Sequence, residues 1–168
     1  MSKYEQPEYK VVLSQPPFEL RLYDEFIVVE YNNEKDPKIE KGFGTLFRYI
    51  SNDNENKQKL SMTIPVIEEV VDDQMKMAFV VPKAHWENAP KPNSELLSLK
   101  KFGGGLFAVI KYGGRSNENM EKNMKQKLSE WIEVKGYRAI SNHMLAFYNP
   151  PFVPGVFRRN EIMIRIEI

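Results

Sequence analysis

The 168-residue chain contains no cysteine. It can therefore form no disulfide, no thiolate metal site and no cysteine nucleophile. It also lacks a charge surplus, because 24 lysines and arginines stand against 23 aspartates and glutamates. Domains dedicated to nucleic acids normally carry a basic surplus, and membrane attachment by charge needs one too. We therefore expect no nucleic-acid partner and no membrane partner.

Long apolar runs are also missing from the sequence. None approaches the roughly 20 residues that a membrane-spanning helix needs. Residues 1–10 are polar and predict a loose lead-in, and residues 1–6 have no apolar stretch of the kind found in signal peptides. We therefore expect a cytoplasmic protein. At this length the chain is predicted to form a single domain, residues 1–168, with a core of its own.

One pattern of apolar residues occurs twice, and each copy indicates a strand, a helix and two more strands. The segments of the first copy are 27–31, 43–50, 60–66 and 75–81. Those of the second copy are 107–112, 117–135, 143–148 and 161–168. The repeat, roughly 18–82 and 97–168, predicts an α+β fold with two main helices. Two such units usually pair into one sheet.

The two predicted helices carry different local signals. Gly42 and Gly44 lie inside the apolar pattern of the first helix, although each weakens a helix by about 1 kcal/mol relative to alanine. Close packing of this helix against a sheet would explain them. The second helix can be capped by Ser116 or Asn117 at its start and ended by Gly136.

Signals for catalysis or metal binding are weak. His85 and His143 lie on unrelated predicted elements, so we predict no metal site. The acidic pairs at 68–69 and 72–73 are typical of a solvated turn, and no Gly-x-Ser-x-Gly motif is present. The glycine-rich segment 113–117 precedes a helix and favours a turn over an anion site. We predict no catalytic residue.

Several phrases in the chain together resemble the SOUL haem-binding family. They extend over nearly the whole sequence, and the most specific are Met-Thr-Ile-Pro-Val and the late Arg-Asn-Glu. The phrases are 18–23, 42–43 leading to 49–50, 62–66, 89–92, and 148–151 followed by 158–161. The resemblance implies a distorted antiparallel β-barrel made from two strand–helix–strand–strand repeats, with two main flanking helices. This architecture is similar to the GyrI-like ligand-binding domains of some transcription regulators.

The resemblance also implies a ligand and a site. The ligand is haem or another tetrapyrrole, a hydrophobic planar small molecule, in an apolar groove along the first helix and the loop before the last strand. Phe43, Phe47 and Arg48 on the helix, with Tyr148 and Phe152 at the loop, would line this groove. Phe43 and Phe47 are one helical turn apart, so both can face the same ligand. Arg48 would reach a propionate.

Three positions differ from the pattern of the family. Leu22 stands where some members carry a histidine proposed as an axial ligand, and leucine cannot ligate iron. Glu40 and Val153 stand where other members carry basic residues. The sequence therefore predicts haem binding without a histidine ligand.

Two further interpretations remain open at this point. One is a binding module for another hydrophobic small molecule. The other is a cofactor-independent hydrolase that uses the same cleft, with Tyr148 or Glu161 as acid–base candidates. The oligomeric state does not follow from the sequence.

Overall fold

The computed structural model describes residues 4–150 and 153–168, and in these residues the chain forms two helices and ten strands. The strands are β1 (Tyr9–Gln15), β2 (Phe18–Tyr23), β3 (Phe26–Tyr31), β4 (Val66–Val71), β5 (Gln74–Val80), β6 (Leu97–Phe102), β7 (Gly105–Tyr112), β8 (Arg138–Ala139), β9 (Met144–Phe147) and β10 (Asn160–Glu167). The helices are α1 (Gly42–Ser51) and α2 (Glu118–Lys135).

The chain divides into two compact units. The first unit contains Glu25–Gly103 and the amino-terminal segment up to Pro7. The second unit contains Glu8–Asp24 and Gly104–Ile168. The assignment of residues 1–168 to a single domain stays a prediction.

In the first unit, four antiparallel strands lie in the order β4, β5, β3 and β6. Helix α1 packs on one face of this sheet, because its apolar positions recur at helical spacing and leave one polar side. Leu46 and Tyr49 of α1 are fully buried against Val29 and Tyr31 of β3 and Phe79 of β5. The core of the unit therefore lies between α1 and the sheet.

Gly42 explains how closely α1 approaches the sheet. A Cβ atom at this position would lie 3.2 Å from Cδ1 of Tyr31 and 3.5 Å from the sulfur of Met77. At Gly44, by contrast, the nearest atom would be Nη1 of Arg48 at 3.6 Å. The prediction of close packing is confirmed for Gly42 alone.

In the second unit, the antiparallel strand order is β1, β2, β7, β10 and β9, and β8 pairs with β10. Helix α2 buries Leu128, Trp131 and Ile132, and the Trp131 indole stacks on Phe18 with the ring centroids 5.1 Å apart. The side chain of Asn117 accepts the N–H of Met120, and Gly136 ends the helix in the left-handed conformation. Both predicted helix ends are confirmed.

The α+β class and its two repeats are confirmed. The repeats are β3-α1-β4-β5 and β7-α2-β9-β10. Among the pairings of the described residues, none closes the strands of either unit into a barrel. None of the helices in 4–150 and 153–168 is both long and apolar enough to cross a membrane.

Two predicted local structures are wrong. The strand expected at 60–66 begins only at Val66, because Pro65 has no N–H to donate to a ladder. Residues 1–10 were expected to be a loose lead-in, yet β1 begins at Tyr9 and pairs with β2. Most residues of β1 are exposed, so the strand has no alternating apolar pattern to signal it.

The contact at Gly42 predicts opposite effects for two glycine substitutions. Gly42→Val forces side-chain atoms into Tyr31 and should lower the free energy of unfolding by about 1–3 kcal/mol. Gly44→Ala meets no such atoms and should raise it by about 0.5–1 kcal/mol. Urea denaturation followed by circular dichroism measures both values. A stable Gly42→Val variant would mean that α1 is not held against the sheet at this point.

Candidate functional site

Two phenylalanines of α1 remain exposed beside the buried side of the helix. Phe43 and Phe47 are 42 % and 48 % exposed, and their rings lie 6.0 Å apart at an angle of 15°. The edge of the buried Phe79 ring contacts Phe43, with 5.3 Å between the centroids. We call the surface formed by Phe43 and Phe47 the aromatic shelf. Its two rings are nearly parallel and both are partly open to an apolar partner.

A groove of about 410 Å³ adjoins the aromatic shelf at Phe47. This volume falls within the usual range for small-molecule sites, roughly 300–1,000 Å³. We call it the apolar groove, and it is lined by Tyr4, Phe47, Ile50, Ser51, Lys59, Leu60, Ser61 and Met62. Most of its wall comes from the last turns of α1 and from the segment 59–62.

A second cavity of about 500 Å³ lies at the carboxyl end of α1. Arg48 is one of its lining residues, and the guanidinium of Arg48 donates to Oγ1 of Thr45 at 3.2 Å. Ser51 lines both this cavity and the apolar groove. We call it the polar cavity, and it is lined by Arg48, Ser51, Asn52, Asp53, Lys57 and Asn93. Phe47 and Arg48 thus line different cavities of the same unit.

The two predicted site residues from the loop before β10 belong to the second unit. The Tyr148 side chain is only 5 % exposed, and its hydroxyl donates to Oε1 of Glu161 at 2.8 Å. The guanidinium of Arg159 lies over the Tyr148 ring, 3.9 Å from its centroid. Phe152 lies outside the described residues. A ligand contact by either aromatic residue stays a prediction.

Tyr148 belongs to a buried ionic network centred on Glu161. Arg21 binds both carboxylate oxygens of Glu161, with Nη1–Oε1 and Nη2–Oε2 distances of 2.7 and 2.8 Å. Arg159 donates two more bonds to Oε2 of Glu161, from Nη2 at 2.8 Å and from Nε at 3.1 Å. Neither Arg21 nor Glu161 has any exposed side-chain surface. Arg21 also donates to Oε1 of Glu19 at 2.7 Å. We call these four charged residues and Tyr148 the buried ion network.

The buried ion network holds Glu161 ionised. Burial alone would raise the pKa of Glu161, but the hydrogen bonds and charges of Arg21 and Arg159 outweigh it and lower that pKa. Burial and the charge of Glu161 raise the pKa of Tyr148 well above its usual value. Both acid–base candidates are therefore engaged with each other in this structure.

The sequence analysis did not anticipate the network. Arg21 and Glu161 are 140 positions apart, and nothing local in either segment indicates a partner. The only available signal was the resemblance, because the phrases 18–23 and 158–161 contain Arg21, Arg159 and Glu161.

A protein-family model matches most of the chain. The model of the family described as "SOUL heme-binding protein" matches residues 4–165. The chain belongs to the SOUL family. No curated protein matches the sequence. The resemblance inferred from the separate phrases is thereby confirmed.

Solved structures that resemble this SOUL chain are distant in sequence. The C-terminal domain of EcmrR is 14 % identical, with 95 % of this chain and 98 % of that chain covered and a TM-score of 0.62. A hydrolase from Listeria innocua is 10 % identical, with 89 % and 91 % covered and a TM-score of 0.59. An uncharacterized conserved protein from Listeria innocua is 10 % identical, with 89 % and 92 % covered and a TM-score of 0.62. These likenesses show a common GyrI-like fold and nothing of its ligands.

The buried ion network predicts a large loss of stability on removing one charge. Glu161→Gln keeps the shape of the side chain but leaves Arg21 buried with only Glu19 as an anionic partner. We expect the free energy of unfolding to fall by about 3 kcal/mol, measured by urea denaturation at neutral pH. Glu130→Gln on the exposed side of α2 is the control and should change it by less than about 0.5 kcal/mol.

The same network predicts a dependence of stability on pH. Because folding lowers the pKa of Glu161 below 4.5, its contribution is complete above that pH and is lost as the pH falls through the folded pKa. Glu19, whose pKa is also lowered, contributes in the same window. The wild-type free energy of unfolding should therefore fall more steeply below about pH 4.5 than that of Glu161→Gln. Parallel curves for the two proteins would contradict this origin of the acid sensitivity.

Proposed function

We propose that this SOUL protein binds haem or another tetrapyrrole without catalysing a reaction. The observation that carries the proposal is the aromatic shelf, in which Phe43 and Phe47 expose two nearly parallel rings to solvent. An aromatic ligand that packs on this surface can stack on one ring and contact the other, because the two rings are one helical turn apart. Membership of a family described as heme-binding supports the tetrapyrrole among planar ligands.

The apolar groove supplies further contact area beside the shelf. Ile50, Leu60 and Met62 line it with aliphatic surface, and the thioether of Met62 is flexible and polarizable. A ligand edge that enters this groove removes apolar surface from water on both partners, which drives binding. The same contacts suit a macrocycle with or without a metal ion.

Binding is proposed to occur without a histidine ligand to iron. Leu22, at the position of the proposed axial histidine in some relatives, lies on β2 of the second unit and is 41 % exposed. Its aliphatic side chain offers iron no lone pair. The free energy of binding therefore comes from apolar burial, so a metal-free porphyrin should bind about as tightly as haem.

Binding is preferred over catalysis because the acid–base candidates are already engaged. The hydrogen bonds of Arg21, Arg159 and Tyr148 occupy both carboxylate oxygens of Glu161. Use of Glu161 as a base would require one of these charged partners to leave a buried site. In this proposal the buried ion network stabilises the fold and takes no part in catalysis.

A haem titration followed by absorbance tests the proposed function. We expect the Soret band to shift from its position in free haem and the change to saturate near one equivalent. The shifted spectrum should lack the features of a bis-histidine complex. A Soret band identical to that of free haem, with no saturation, would contradict haem binding, and titration with a metal-free porphyrin would then test the wider ligand class.

Substitution of the shelf locates the binding surface. Phe47→Ala removes one exposed ring and should weaken porphyrin binding by about 1.5 kcal/mol, close to tenfold in Kd. Val134→Ala is the control, because this side chain of α2 is 83 % exposed and lines neither the aromatic shelf nor the apolar groove. Equal affinities for the wild type and both variants would remove the shelf from the site. Phe43→Ala would change stability as well as ligand binding, because Phe43 also contacts the buried Phe79.

A further inference from the structure

We propose that the outer side of strand β6 binds an extended acidic peptide as an additional antiparallel strand. The surface consists of the outward-facing backbone of residues 99–101 and a cavity beside Trp86. We call this surface the β6 edge. The inference goes beyond the proposed function and does not depend on it, because none of these residues lines the apolar groove or forms the aromatic shelf.

The internal repeat of the chain shows what the β6 edge lacks. In the first unit β6 is the antiparallel neighbour of β3, and in the second unit β2 is the antiparallel neighbour of β7. Strand β1 then covers β2 with a further antiparallel pairing. Among the described residues β6 pairs with β3 alone and ends the strand order. The position that β1 fills at β2 is therefore open at β6.

The backbone of β6 has hydrogen-bonding groups on its open side. The N–H of Asn32 donates to the carbonyl of Leu96 at 3.0 Å, which fixes the alternation of the ladder between β3 and β6. The even-numbered residues of β6 therefore bond to β3, whereas the N–H and C=O groups of Leu99 and Lys101 point away from it. Such an edge is a template for one more strand.

A cavity of about 250 Å³ adjoins this edge at Leu99. It is lined by Ile27, Trp86, Glu87, Ala89, Leu99, Lys100 and Lys101. The Trp86 indole is held in place, because its Nε1 donates to the carbonyl of Val81 at 2.7 Å. The volume lies below the usual range for small-molecule sites, roughly 300–1,000 Å³, and suits a single apolar side chain.

The pairing of β1 with β2 shows which residue of an added strand would enter the cavity. Leu13 of β1 lies opposite Leu20 of β2 and packs against the core beside α2. Leu99 likewise packs against the core beside α1. Because directly opposite residues share a face of the sheet, the residue of the partner opposite Leu99 points to the cavity beside Trp86.

The charges of the β6 edge favour an acidic partner. Lys100 and Lys101 are exposed, and Glu87 is the only carboxylate that lines the cavity. Lys100 binds Glu30 at 2.8 Å, whereas Lys101 has no ion-pair partner among the described residues. An antiparallel partner meets Lys101 first, then Lys100, then Leu99. Its preferred sequence, read from its amino end, is therefore acidic, acidic, apolar.

The same lysines disfavour a second copy of the chain as the partner. Pairing of two β6 edges would bring four lysines into one two-stranded ribbon. Lysine on an edge strand is a known protection against such self-pairing. The β6 edge is thus closed to its own kind and open to an acidic strand.

Fluorescence anisotropy with labelled peptides tests the inference. The probe is the peptide Thr-Glu-Glu-Phe-Thr-Val-Thr, and a second peptide has lysine at both glutamate positions. A third peptide carries N-methyl groups on its first glutamate and its phenylalanine, whose N–H groups would face β6. We expect both altered peptides to bind at least roughly tenfold more weakly than the probe, the second through charge and the third through loss of strand pairing.

Charge reversal at position 101 locates the binding surface. Lys101→Glu changes an exposed side chain, so it should leave the circular dichroism spectrum unchanged while weakening the probe roughly tenfold. A peptide with lysine at its first glutamate position should bind Lys101→Glu more tightly than it binds the wild type. Lys127→Glu, which reverses an exposed lysine of α2, is the control and should bind the probe like the wild type.

Each result decides the inference. Preference for the probe, its loss in Lys101→Glu and its recovery with the exchanged charge support strand addition at β6. Equal binding of the N-methylated peptide would show attraction by charge without strand pairing and overturn the inference. Absence of binding up to about 1 mM peptide would also overturn it. A dimer in analytical ultracentrifugation that the probe dissociates would assign the edge to a second copy and contradict the acidic partner.

Discussion

The bidentate pair between Arg21 and Glu161 is the constraint on which the second unit depends. It joins β2 to β10 across the intervening strand β7, and both side chains are fully buried. A shift of either strand by one residue would turn one partner to the opposite face and leave the other charge buried alone. The pair therefore specifies the register of the three strands more strictly than apolar contacts do, because one apolar side chain can replace another in the core. Tyr148 and Arg159 are ordered around it.

Elements with a local signal were predictable from the sequence. Helix α2 combines apolar spacing, the cap at Asn117 and the stop at Gly136, so its position and both ends follow from short-range chemistry. Strand β1 has no such signal, since most of its side chains are exposed and its pairing with β2 alone defines it. The strand expected before Val66 failed for a related reason: apolar content predicted a ladder that Pro65 cannot join.

The residues of the candidate site also differ in whether a local sequence signal predicts them. The exposure of Phe43 and Phe47 on one side of α1 agrees with their spacing of one turn, which the sequence displays. The family resemblance predicts that Tyr148 lines the same groove. The contacts of its side chain, however, are set by Glu161 and by Arg21, which lie far apart along the chain. The cavity at the end of α1 was also unpredictable, because it depends on the fold of a short polar loop rather than on any motif.

The conformation of the loop after α1 is held by Asn54 and not by the exposed side chains of the loop. This single buried amide binds the backbone at Tyr49 and Gln58, and so fixes the loop without help from the side chains that face the cavity. The side chains of Ser51, Asn52 and Lys57 are exposed and do not belong to the buried core. Mutations at these three positions can accumulate with little cost to folding. A substitution at one of them changes the surface at the end of α1 without removing the buried amide that holds the loop.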